Sequence, residues 1–295
     1  MSVEIRDQQM HQVIDADAQL EQVATGFIFT EGAMWDARAQ ELIFSDMPGD
    51  IVRKWSEADG VTIFRQPSGK ANGHYFDPLG RLISCEHSNS RLIRGEHDGS
   101  ITVLATHYDG KELNSPNDVV VKSDGAIYFT DPSYGRMDVF GLLREQDLDY
   151  QGVYRIDPQS GELSLLASDF LQPNGLTFTL DEKQLYINDT DRGHVRVFDV
   201  ADDGSISGGA VWAVPEGPGD GGCDGMKIDS KDNLFTTGPG GIHVYAPDAT
   251  SLGVIRVPEV AANFTWGDDD LRMMYITAST SLYRIGVNVP GRNIA

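Results

Sequence analysis

Asn117-Asp118-Val119-Val120-Val121, a polar turn, and Ala126-Ile127-Tyr128-Phe129-Thr130-Asp131 form the clearest copy of a unit that recurs along the chain. The unit opens on a small polar or acidic residue, usually followed by Gly, and runs into a short apolar strand. A turn then leads to a second strand ending in Ser, Thr or Asp. Toward the N-terminus the copies read Asn72-Gly73-His74-Tyr75-Phe76 with Arg81-Leu82-Ile83-Ser84, and Glu31-Gly32-Ala33-Met34-Trp35 with Leu42-Ile43-Phe44-Ser45-Asp46. Toward the C-terminus they read Asn174-Gly175-Leu176-Thr177-Phe178 with Gln184-Leu185-Tyr186-Ile187-Asn188-Asp189, and Asp224-Gly225-Met226-Lys227-Ile228 with Asn233-Leu234-Phe235-Thr236. A degraded copy, Asn263-Phe264-Thr265-Trp266 with Met273-Met274-Tyr275-Ile276-Thr277, comes last.

The opening residues 31, 72, 117, 174, 224 and 263 lie 41, 45, 57, 50 and 39 residues apart. Each interval has room for four short strands, as Arg91-Leu92-Ile93-Arg94 and Ile101-Thr102-Val103-Leu104 show after the second copy. Repeats of about 40 to 50 residues built this way are propeller blades. The expected fold is therefore all-β, a six-bladed β-propeller with four-stranded blades. Residues 1–18 are expected to form an N-terminal extension and 19–295 a single propeller domain with its site in the central channel. Glu21 to Phe29 should supply the outer strand of the last blade and cover an otherwise open edge. The widest interval holds a polar insertion, Arg136 to Gln151, expected to lie over one face. No long 3.6-residue periodicity appears, and β-branched and aromatic alternation with Asp-Gly and Pro-Asn-Gly turns argues against α/β layering.

Composition narrows the function. Against 45 Asp and Glu stand 23 Lys and Arg, a net charge of -22. Such a surface repels nucleic-acid phosphates and anionic membranes, and suits cations or neutral polar molecules as well as solubility. The two cysteines, Cys85 and Cys223, make no disulfide framework and are expected to be reduced. Met1 to Leu20 has no apolar stretch behind a basic one, and no later run reaches the length of a membrane span. A cytoplasmic protein, monomer or homodimer, follows as the expectation.

The first strand of each propeller blade lines the channel, so the six opening residues should form a ring there. Two carboxylates and several amides supply hard oxygen donors for one divalent cation, Ca²⁺ first, with Mg²⁺, Mn²⁺ or Zn²⁺ as alternatives. Asn and Asp before Gly are also ordinary turn formers. A single position therefore says little; six in phase, with acids only at 31 and 224, point to one mononuclear site.

Thr30-Glu31-Gly32, Ser115-Pro116-Asn117-Asp118, Thr130-Asp131-Pro132-Ser133-Tyr134-Gly135, Gln172-Pro173-Asn174-Gly175 and Cys223-Asp224-Gly225-Met226 together resemble the senescence marker protein, gluconolactonase and luciferin-regenerating enzyme family, bacterial gluconolactonases above all. The resemblance runs from Thr30 to Tyr283. It implies a six-bladed propeller, a metal held by Glu31, Asn117, Asn174 and Asp224, and acid/base duty for Asp224. Animal members carry Arg where this chain has Ser115, so their sugar contacts do not carry over. The implied activity is hydrolysis of a gluconolactone-like sugar lactone to its aldonic acid. A cation on the lactone carbonyl would stabilise the oxyanion, and Asp224 would move the proton, although the adjacent charge weakens it as a base.

Asn72, Asn117, Asp131 and His87 are the candidate substrate contacts. Asp131 could equally hold the ring of ligands, and His87 could be a structural histidine. Gly217-Pro218-Gly219-Asp220-Gly221-Gly222 matches a dinucleotide fingerprint but leads into a strand, not a helix. Asp189-Thr190-Asp191-Arg192-Gly193 starts like a calcium loop yet has Val200 where the closing Glu belongs. No nucleophile elbow and no zincin pair is present. Other readings of the ring are a metal-dependent esterase or phosphotriesterase and a non-catalytic calcium-binding propeller, since propellers host all of these.

Overall fold

Each repeated unit folds as an antiparallel meander, its strands joined by short turns except in blade 3, where the insertion separates the second strand from the third. The computed structural model describes residues 2–292; Met1 and residues 293–295, the ends of the expected extension and propeller, lie outside the described residues. From the channel outward, blade 1 runs Thr30–Asp36, Glu41–Asp46, Ile51–Ser56 and Gly60–Arg65. The inner strands of blades 2 to 6 are Ala71–Phe76, Val119–Val121, Pro173–Phe178, Met226–Ile228 and Ala261–Gly267. Six sheets thus form the six-bladed propeller that the spacing predicts.

Closure also follows the expectation. Glu21–Thr25 pairs antiparallel with Ser281–Gly286, Glu21 opposite Arg284 and Thr25 opposite Ser281, so the first strand of the propeller completes the last blade. The segment ahead of it is packed as well. Val3–Ile5 adds a fifth strand to blade 5 along Ser251–Arg256. The only α-helix among the described residues, Met10–Val13, buries Met10, Val13 and Ile14, at helical spacing, against blades 5 and 6. That helix is too short to predict from periodicity. Among the described residues no helix is long and apolar enough to cross a membrane.

Neighbouring blades bury both faces of one another, which is why the middle strands are nearly all apolar. At the seam of blades 6 and 1, Leu42, Phe44, Tyr275 and Leu282 share one cluster, and Trp35 stacks on Tyr275 at 5.3 Å. Near the axis the inner strands crowd. A Cβ on Gly175 would stand 2.0 Å from the carbonyl oxygen of Asp224, and one on Gly32 would stand 2.0 Å from that of Asn72. Glycine after the opening residue is therefore a requirement of close strand approach, and Glu31, Asn72, Asn174 and Asn263 lie within strands rather than in turns.

The insertion lies over the channel end that carries the opening residues. Arg136, buried, holds its root: the guanidinium donates to the carbonyls of Leu113, Asn114 and Glu145 and pairs with Glu112 at 2.8 Å. Lys70 Nζ donates to the carbonyls of Val139 and Gly141, and Phe140 sets its ring edge-on to Phe29 at 5.5 Å.

Candidate active site

Blades are tied to one another through the carbonyls of the opening residues. Ser45 Oγ donates to Asn72 O at 2.9 Å, Gly73 N to Asn117 O at 2.8 Å, Thr130 Oγ1 to Asn174 O at 2.8 Å, and Asn188 Nδ2 to Asp224 O at 2.5 Å. In each case the donor belongs to the preceding blade. Main-chain oxygens are thereby spent around the circumference, and the ring's chemistry is left to its side chains. Glu31 comes within hydrogen-bonding reach of Asp224 and Asn263, and Asp224 within reach of Asn174.

Electrostatics make this cluster unusual. Glu31 is 2% exposed, and burial, reinforced by the charge of Asp118, raises its carboxyl far above the usual range. Burial and then the charge of Glu31 push Asp224 up further. Two facing carboxylates in such a place cannot both be charged alone; they must share a proton or take a cation between them. The donor set fits a cation. Asn117 is buried and its amide makes no hydrogen bond among the described residues. Asn174 Nδ2 donates to Thr190 Oγ1 at 3.1 Å, which leaves Oδ1 free. Two carboxylates and two amide oxygens are hard donors suited to a divalent ion.

Asn263 plays a different part. Its Oδ1 accepts from Lys227 Nζ at 3.3 Å and from Phe264 N at 2.9 Å, so its NH₂ is the end that meets Glu31. It orients the Glu31 carboxylate and has its own oxygen already engaged.

Asn72 sits beside Asn117 in the ring and is held by His87. The His87 Nδ1 donates to Phe140 O at 3.0 Å, so Nε2 is the acceptor that faces Asn72 Nδ2 at 3.4 Å. Burial pushes the imidazole down to about 4, and both ring nitrogens are engaged. At neutral pH His87 is a neutral link between the insertion and the ring, not a proton carrier. Asp131 is turned to the backbone: its oxygens accept the N–H groups of Asn114 and Ser115 at 2.8 and 2.7 Å. Asp46 grips Ile28 N, and Asp189 grips Leu171 N and Gln172 N, in the same way. The strand-end Asp of the repeat thus clamps the loop that delivers Glu31, Asn117 or Asn174.

Three further residues belong to the site. Asp118 and Lys227 face each other's charge across the channel just past the ring, Lys227 being lowered by burial and supported by Asp118 and Glu31. Tyr134 reaches Thr190 and feels the charge of Asp224; burial keeps its hydroxyl protonated. Asp118 and Lys227 left a readable signal, since Asp118 replaces the Gly of four other units and Lys227 is a charge inside an inner strand. Nothing comparable marks Tyr134 beyond its place in a motif.

The sequence pattern of the SMP-30/Gluconolactonase/LRE-like region matches residues 29–280. The gluconolactonase of Zymomonas mobilis subsp. mobilis is 31% identical over 300 residues, covering 92% of this chain and 82% of its own. A solved gluconolactonase from Xanthomonas campestris superposes with a TM-score of 0.90 at 32% identity, covering 97% of this chain and 95% of the other. Regucalcin, a calcium-binding protein of Agrobacterium tumefaciens, superposes with a TM-score of 0.77 at 17% identity over 93% and 96% of the two chains, a likeness of fold alone.

Proposed function

The chain belongs to the SMP-30/Gluconolactonase/LRE-like family, and from that premise we propose that it hydrolyses a sugar lactone of the gluconolactone kind to the free aldonic acid. The observation that carries the reading is the buried Glu31 and Asp224 pair, joined by Asn174 and by the unspent amide of Asn117. These four residues would hold one divalent cation, Ca²⁺ before Mg²⁺, Mn²⁺ or Zn²⁺. Bound there, it would supply Lewis-acid stabilisation of the negative charge that grows on the lactone carbonyl oxygen.

The remaining steps fall to side chains. Asp224 accepts a proton from the attacking water and returns it to the ring oxygen as the carbon–oxygen bond breaks. Glu31 holds its place opposite, fixed by the Asn263 amide and Gly32 N, which donates to Glu31 Oε2 at 2.8 Å. Asn72, set by His87, offers its amide oxygen to the sugar hydroxyls, and Asp131 acts through the loop that carries Asn117. Proton release from a panel of aldonolactones, before and after chelation and on adding back each cation, tests this. If neither the untreated nor the metal-loaded protein opens any lactone, the proposal fails.

A further inference from the structure

The channel continues beyond the ring. Asp118 and Lys227 line the inner end of a cavity of about 300 Å³ that opens toward the turns joining first to second strands. All six inner strands build its wall, through Met34, Tyr75, Val120, Leu176, Met226 and Trp266. This volume is at the small end of ligand sites, and the lining is the mostly apolar and aromatic kind such sites use. Beyond Asp118, Lys227, Thr177 and Thr265 the walls are apolar, so a polyhydroxy acid would leave most of its hydroxyls unpaired and the occupant differs in class from the lactone product.

The mouth carries a cation without a partner. Arg38 lies across the turn at Gly80: a Cβ there would stand 1.1 Å from Arg38 Nη2, and φ is +73°. Among the described residues the Arg38 guanidinium makes no ion pair and no hydrogen bond. The acids beside it are already engaged. Asp36 Oδ1 accepts the N–H of Arg38 and of Ala39, and Asp77 is paired with Arg81 at 2.6 Å. The other rim guanidinium, Arg292, is paired with Glu182 at 2.7 Å. Aromatic walls below an unpaired guanidinium suit a ring with a single carboxylate.

We propose that this cavity is a second small-molecule site, separate from the ring, for an apolar carboxylate one or two rings in size, with the rings between Tyr75 and Trp266 and the carboxylate on Arg38. The test titrates 2-naphthoate into the full-length protein by calorimetry and tryptophan fluorescence. One naphthoate should bind per chain, undisturbed by saturating gluconate or by chelator. Arg38→Glu should weaken binding at least about tenfold, as reversal of a charge-assisted contact does, and leave lactone turnover intact. Thr177 also lines the cavity, and Thr177→Trp should abolish binding by filling it; if its melting shows that it does not fold, Arg38→Glu decides. No saturable binding, displacement by gluconate, or unchanged affinity in Arg38→Glu would overturn the proposal. Binding is read without turnover, so its failure is distinct from failure of the lactonase reading.

Discussion

Lys227 Nζ donates to Asn263 Oδ1, and that bond decides which end of the Asn263 amide meets Glu31. Through it a residue outside the ring sets the geometry of a proposed metal ligand. Asn263→Ala should therefore raise the dissociation constant for the cation by about 10- to 100-fold, as loss of an orienting partner does, while kcat at saturating cation stays within about threefold. Calorimetric metal titration beside turnover measures both. An unchanged affinity would make Asn263 a mere space-filler.

Lys227→Met should act on stability instead. It leaves Asp118 buried without the positive charge that favours its carboxylate, and an uncompensated buried charge costs on the order of a few kcal/mol. Urea unfolding of the variant and of the Lys227→Met, Asp118→Asn double variant is the check. The double variant should recover most of the loss.

The two acids of the ring should part company under mutation. Asp224→Asn retains a ligand oxygen but loses the proposed base, so turnover should fall about 10²–10⁴-fold and excess metal should not restore it. Glu31→Gln should act mainly on metal affinity and be partly rescued by excess metal. Full rescue of both would move proton transfer away from Asp224.

Gly175→Ala should cost about 3 kcal/mol or prevent folding, because its Cβ would overlap the Asp224 carbonyl in a ring of tied strands. Gly60→Ala, with φ +64° and open space around it, should cost only about 1 kcal/mol. Chemical denaturation of both variants makes the comparison, and equal losses would show that the inner strands at position 175 part easily enough to admit a methyl group.

Acid should destabilise the fold through His74. Its ring bridges Ser45 and Ser84, each at 2.8 Å, and burial pushes it from 6.5 down to about 3. Between those values the unfolded chain binds a proton that the folded chain refuses. The stabilisation is thus whole above pH 6.5 and is lost progressively as pH falls toward 3, at about 1.4 kcal/mol per pH unit. His74→Gln should flatten the slope of stability against pH between 4 and 6 by about that amount. Parallel slopes would mean that His74 is protonated in the folded state.

The chain's repeat alone determined the number of blades, the closure by a strand within residues 21–29 and the six residues of the ring, because alternation and spacing are local properties that survive in a linear string; the structure narrowed the closing strand to Glu21–Thr25. What surrounds each ring member was decided only by tertiary contact. Glu31, Asn174 and Asp224 meet across blades, and the Asn263 amide has its oxygen consumed by Lys227, a fact no spacing records. Asp131 and His87 read from sequence as possible substrate groups, yet hydrogen bonds to Asn114, Ser115 and Phe140 occupy them, since a side chain's free valence depends on which neighbours the fold brings. The glycines read as turn residues became close-approach positions for the same reason: the distance between adjacent inner strands exists only once six blades crowd one axis.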